Sequence, residues 1–167
     1  MNRRKKIVVA GLILVGLAGA QYTATATTTL STEKEWRPLR ETTNLSLATV
    51  QSLCPTDGIT PCTGALAGWV WGTETQVNAL AVTYGLGVTV GGRSYFLPAL
   101  RFVTALGPTS ACEGGSFSYC EGASGYVSSG RVAEGYYQYP LYYGSFRTRS
   151  MGGDASPHRG VYLWRSI

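Results

Sequence analysis

Lysine is almost missing from this chain once its first six residues are set aside: only Lys34 remains. Histidine occurs once, as His158. Four of the 14 Lys+Arg are Arg3, Arg4, Lys5 and Lys6, so the rest of the chain is close to neutral against its 9 Asp+Glu. A near-neutral body excludes the usual electrostatic case for a nucleic-acid partner or an anionic membrane surface. The remaining cations are scattered. Only Arg147 and Arg149 fall two apart, which on a strand puts them together on one solvated face.

Sites of catalysis are equally thin. A Ser–His–Asp arrangement would have to use His158 with Asp154, both in one Gly- and Pro-containing loop, and no Gly-x-Ser-x-Gly elbow is present. Carboxylates for glycoside cleavage would come from Asp57, Glu74, Glu113, Glu121, Glu134 and Asp154, and nothing selects a pair. No phosphate loop, dinucleotide fingerprint or calcium loop occurs. No catalytic residue, metal or cofactor is therefore expected.

Long apolar runs are limited to one. Ile7 to Ala20 is 14 apolar or small residues, short of the roughly 20 needed to span a bilayer. It follows a basic head, Asn2 to Lys6, and ends in Ala18-Gly19-Ala20 before Gln21. A positive head, a short apolar run and a small-x-small end make a secretory signal peptide over residues 1–20. The protein is thus expected to be secreted, at the cell surface, with contact to membrane only if the leader stays uncleaved as an anchor. Residues 21–167 are long enough for one domain with its own core.

The four cysteines fit export. Cys54 and Cys62 are eight apart, as are Cys112 and Cys120. In an oxidising compartment an even count reads as disulfides, and four cysteines allow three pairings. Asp57-Gly58 lies within the first interval and Gly114-Gly115 within the second, turns that bring the ends together. Two local bridges follow, Cys54–Cys62 and Cys112–Cys120, each worth about 2–3 kcal/mol in the chain-entropy model. The intervals are too long for the C-x₂₋₄-C spacing of a zinc site. Paired cysteines also leave no thiol for nucleophilic chemistry.

The expected fold is all-β: a single antiparallel β-sandwich-like domain over 32–167 with at most two short helices. Apolar residues alternate from Leu80 to Val90, the period of a strand with one buried face. Gly91-Gly92 then reads as a two-residue turn, with Arg93 to Val103 returning and Val88 opposite Tyr95. Pro98 marks a sheet edge. Further strands are expected at Leu66–Gly72, Gly125–Val132, Tyr136–Arg149 and Gly160–Ser166. A capping box at Thr32–Glu35 and a short helix within Thr43–Leu53 account for the helices. Asn44-Leu45-Ser46 is a glycosylation sequon.

Residues 21–31 form a separate Thr-rich strand. Tyr22, Ala24, Ala26, Thr28 and Leu30 share one face, and Thr23, Thr25, Thr27 and Thr29 share the other. Such a strand either opens its own domain or is available to a neighbouring subunit. Tyrosine is the other signal: five of the 11 fall in Tyr136–Tyr143. On one strand Tyr137, Tyr139 and Tyr143 share a face, a candidate surface for glycan or another surface protein. Trp69 and Trp71 also share a face, as core or platform.

Two functions fit these features. The first is a non-catalytic exported structural subunit of a filament or layer, partnered with copies of itself through the donated N-terminal strand. In architecture this resembles donor-strand-assembled pilins and archaeal surface threads, over the leader, the Thr-rich strand and the β domain, with no family motif matched. The alternative is a monomeric β-sandwich module binding glycan or protein. A small secreted cell-wall hydrolase is a third, remoter reading.

Overall fold

The computed structural model describes residues 28–31, 34–111, 119–150 and 158–167, with only the backbone described at 28–31, 111, 119 and 120. The chain starts with a hairpin, β1 (Thr28–Ser31) and β2 (Lys34–Trp36), then α1 (Leu47–Leu53), β3 (Val70–Trp71) and α2 (Glu74–Thr83). Next come β4 (Val90–Gly92), α3 (Phe96–Leu106), β5 (Ser110–Ala111), β6 (Tyr119–Tyr126), β7 (Val132–Tyr139) and β8 (Tyr143–Arg149). β9 (Gly160–Val161) and β10 (Leu163–Ser166) finish it. Two sheets result. The small one has the order β1-β2-β10-β3, and the large one runs β4-β8-β7-β6-β5, with β9 added parallel to β6. The fold is mostly β, as expected, but it carries three short α-helices rather than two at most.

The largest departure lies at 74–106. The expected strand Leu80–Val90 and returning strand Arg93–Val103 do not form, and the Val88–Tyr95 pairing does not exist. Helix α2 occupies Glu74–Thr83 and α3 occupies Phe96–Leu106. Two local signals set them. Thr73 and Gln76 form a reciprocal capping box at the start of α2, each side chain satisfying the other's backbone N–H. Val77, Leu80 and Ala81 are then buried at helical spacing, while Val82 faces solvent. In α3 the buried set is Ala99, Phe102, Val103 and Leu106, again i, i+3, i+4, i+7. Pro98 is in the first helical turn, where its missing N–H has no intrahelical acceptor to lose, so it marks a helix start rather than a sheet edge. Gly91-Gly92 belongs to β4, which pairs with β8 instead of turning a hairpin.

Elsewhere the expectations hold in part. Ser46 caps α1 by accepting the Thr49 N–H, inside the expected Thr43–Leu53. Gly160–Ser166 is extended, as β9 and β10. Leu66–Gly72 contains only the two-residue β3, preceded by a 3₁₀ turn at Gly64–Leu66. Gly125–Val132 is not one strand: it is the end of β6, a turn and the start of β7. Tyr136–Arg149 is likewise two strands, β7 and β8, joined by a turn at 140–142 with a cis Tyr139–Pro140 peptide. Glu35 lies in β2, not in a helical cap, and Thr32 lies outside the described residues.

A sandwich would cover the large sheet with a second sheet. Here α3 covers it: Phe102 packs edge-on against Phe146 of β8 at 5.4 Å, within a core that holds Leu86, Leu106 and Tyr137. Gly144 of β8 has no room for a side chain, because the backbone of Tyr95 lies against it. A second core, around Val50, Trp71, Tyr126, Val132 and Leu163, includes the Cys54–Cys62 disulfide. Trp71 is fully buried there and donates its indole N–H to Tyr126 O at 3.1 Å.

Candidate functional site

The β7–β8 turn brings together three exposed large apolar side chains. Tyr139, Leu141 and Tyr142 are each about half exposed, unusual for large apolar side chains, and Leu97 at the start of α3 is equally so. Rings meet in a chain: Tyr139 and Tyr142 pack edge-on at 5.3 Å, Tyr142 and Phe96 at 5.3 Å, and Phe96 and Tyr137 at 5.9 Å. Edge-to-face pairs of this kind fix ring orientation beyond what burial alone would do. Tyr142 sits at φ 51°, a left-handed conformation in the turn between β7 and β8. The phenol pKa of Tyr142 is raised by a hydrogen bond with Tyr139 and then by that neighbour's charge.

The three tyrosines of the expected binding face do not share a face. Tyr137 lies on the core side of the sheet, 6% exposed, and its hydroxyl donates to Glu121 Oε2 at 2.7 Å. Tyr139 is exposed at the tip. Tyr143 lies opposite Gln138 on the other face, where its ring stacks on Tyr136 at 6.1 Å. The turn at 140–142 separates them: it reverses the chain, so residue 143 does not continue the alternation of 137 and 139. Arg147 and Arg149 do share a face, both paired to Glu134, at 2.6 and 3.1 Å.

Trp69 and Trp71 also part company. Trp71 is core, whereas Trp69 carries the guanidinium carbons of Arg165 and Arg37 over its ring at 4.7 and 5.5 Å. Among the described acids, each weighed as a catalytic carboxylate is otherwise engaged. Glu74 receives both its bonds from Arg131 at 2.9 Å, and Glu121 receives Tyr137. Asp57 binds the Thr60 hydroxyl at 2.6 Å and the Ile59 and Thr60 N–H groups at 2.9 Å, which together hold its pKa below the ordinary carboxylate value. Glu113 and Asp154 lie outside the described residues. No group of three His, Cys, Asp or Glu with metal-binding geometry occurs among the described residues.

Of the disulfides, Cys54–Cys62 is formed, and both cysteines are buried. Cys112 lies outside the described residues, and only the backbone of Cys120, in β6, is described. Tyr22, Ala24 and Ala26 also lie outside them. Thr28 and Leu30 fall in β1, which pairs with β2, Thr28 opposite Trp36. Asn44 is exposed, while the Ser46 of its sequon caps α1.

A groove separates α2 from the small sheet. Thr75, Ala79, Leu80 and Thr83 form one wall and Lys34 and Trp36 the other, around about 230 Å³. Lys34 Nζ sits 3.9 Å above the Trp164 ring at its rim. The groove is not legible in the sequence, because Leu80 and Thr83 of its α2 wall fall in the alternating segment Leu80–Val90, which has the period of a strand.

No protein-family model matches this sequence, and no curated protein or solved structure matches it either.

Proposed function

We propose that the protein is a non-catalytic exported structural subunit, building a surface filament or layer from copies of itself by donating its N-terminal strand. The observation that carries this reading is the position of β1. It is a four-residue edge strand, paired only to β2 among the described residues, and it directly follows the Thr-rich alternation of residues 21–27. An edge strand offers unpaired backbone donors and acceptors to another chain. The basic head and short apolar run support export, and the low charge of the body supports burial of its surface in an assembly.

Light scattering with electron microscopy on residues 21–167, beside a chain starting at Ser31, tests the proposal. Filaments are expected from the first and none from the second. Monodisperse monomers from both overturn it.

A second reading, a secreted module binding glycan or another surface protein, is favoured by one observation. The tip formed by Tyr139, Leu141 and Tyr142 exposes aromatic and apolar surface that the fold does not use. Neither reading requires a cofactor.

A further inference from the structure

We infer that the groove between α2 and β2 is the acceptor site for residues 21–27 of a second copy of this chain. The inference rests on the strand-donating reading and names its receiving surface.

The end of β2 is the first support. Thr28 pairs with Trp36, and Trp36 is both the last residue of β2 and a wall of the groove. Beyond it, Arg37 donates its N–H to Leu163 O on the β10 side, and the chain turns through Pro38 into a 3₁₀ helix at Leu39–Thr42. β2 therefore ends within two residues of the position opposite Thr28, where Pro38 lacks an N–H and the 3₁₀ helix begins.

Length is the second support. Extended at about 3.3 Å per residue, residues 21–27 reach about 23 Å. The α2 wall from Thr75 to Thr83 runs only about 12 Å, at 1.5 Å per residue. The segment covers the groove and keeps enough chain to join β1 of its own body.

The third support is chemistry. Leu80 and Trp36 give the groove its large apolar side chains, Thr75, Ala79 and Thr83 add methyl groups, and Lys34 and Gln76 complete the lining. Residues 21–27 have no charge, and Ala24 and Ala26 put small apolar groups on one face of the alternation with Tyr22. Such a face enters an apolar groove without desolvating an ion. Donor and acceptor are different surfaces, so the contact is heterologous and repeats into an open filament rather than closing as a dimer.

Complementation between two defective chains is the test. Ala79→Trp fills the groove from an exposed position of α2 and leaves the donor segment intact. Deletion of residues 21–27 removes the donor and leaves the groove intact. Each variant alone is expected to lose filaments in light scattering and microscopy, and an equal mixture is expected to give a discrete dimer. Thr83→Arg, one helical turn further along the α2 wall, should repeat the Ala79→Trp result, and circular dichroism confirms that both fold. If Ala79→Trp polymerises like the parent while the deletion does not, the groove assignment falls and strand donation stands. A mixture that stays monomeric also overturns the assignment. If the deletion still polymerises, or the parent never does, strand donation falls and the groove assignment with it.

Discussion

The ring of Phe102 occupies the space that a side chain at Gly135 would need: a Cβ on that glycine would lie 2.7 Å from Phe102 Cδ1. Helix α3 thereby sits directly on the backbone of β7. Gly135→Ala should cost about 1–3 kcal/mol, because neither the ring nor the strand can move without disturbing Phe146 behind them. Phe102→Ala should cost about 3–5 kcal/mol through the cavity it leaves. Urea unfolding measures both. A Gly135→Ala protein as stable as the parent would show that α3 can lift off the sheet freely.

Thr73 begins α2 with a complete capping box. Thr73→Ala should destabilise the protein by about 1 kcal/mol in thermal unfolding. Gln76 does more than its share of the cap, since it also donates to Gly58 O at 2.9 Å and receives the Trp164 indole N–H at 3.3 Å. Gln76→Ala should therefore cost more than Thr73→Ala. The reverse order would show that these longer-range bonds carry little.

Tyr162 is fully buried, and burial first, then the nearby charge of Glu134, pushes its pKa far above the ordinary value of 10.0. The neutral phenol is the form the fold accepts. Its contribution is complete below the unfolded tyrosine value and is lost as pH rises past it, because only the unfolded chain can then release the proton. Stability should fall above about pH 10, and less steeply in Tyr162→Phe. Urea midpoints across alkaline pH compare the two. Parallel curves would remove Tyr162 as the cause.

The aromatic tip can be separated from the fold. Tyr139→Ala and Tyr142→Ala remove rings that are each about half exposed, so the unfolding temperature should move little. On a glycan array these changes should abolish any hits the parent gives, whereas Tyr136→Ala, on the opposite face, should leave them. Equal loss in all three would point to a general disturbance of the sheet.

Much of the mostly-β fold was legible, and the illegible part has an identifiable cause. The short helix within Thr43–Leu53, the Cys54–Cys62 bridge around Asp57-Gly58, and the extended Gly160–Ser166 are all local signals, and all appear in the structure. Residues 80–90 misled because Leu80 and Tyr84 satisfy both periods: they are two-residue alternates and also neighbours one helical turn apart. The Thr73–Gln76 box, Pro98 in a first turn and Gly107 at φ 78° were the signals that favoured helices. The tip was misread for a different reason. A tyrosine-rich stretch looks like one strand unless Pro140 is taken as its end, and a turn there moves Tyr143 to the other face. The groove depended on α2 and could not be seen without it.

In the small sheet, β10 lies between β2 and β3, so residues near position 165 hold apart partners near positions 35 and 70. At a synthesis rate of about 5–20 residues per second, the β1–β2 hairpin waits on the order of ten seconds for the strand that completes its sheet. Through that interval Trp36, buried in the finished molecule, has no Trp164 beside it. The sheet from which the N-terminal strand extends is therefore closed last, after almost all of the chain has been made.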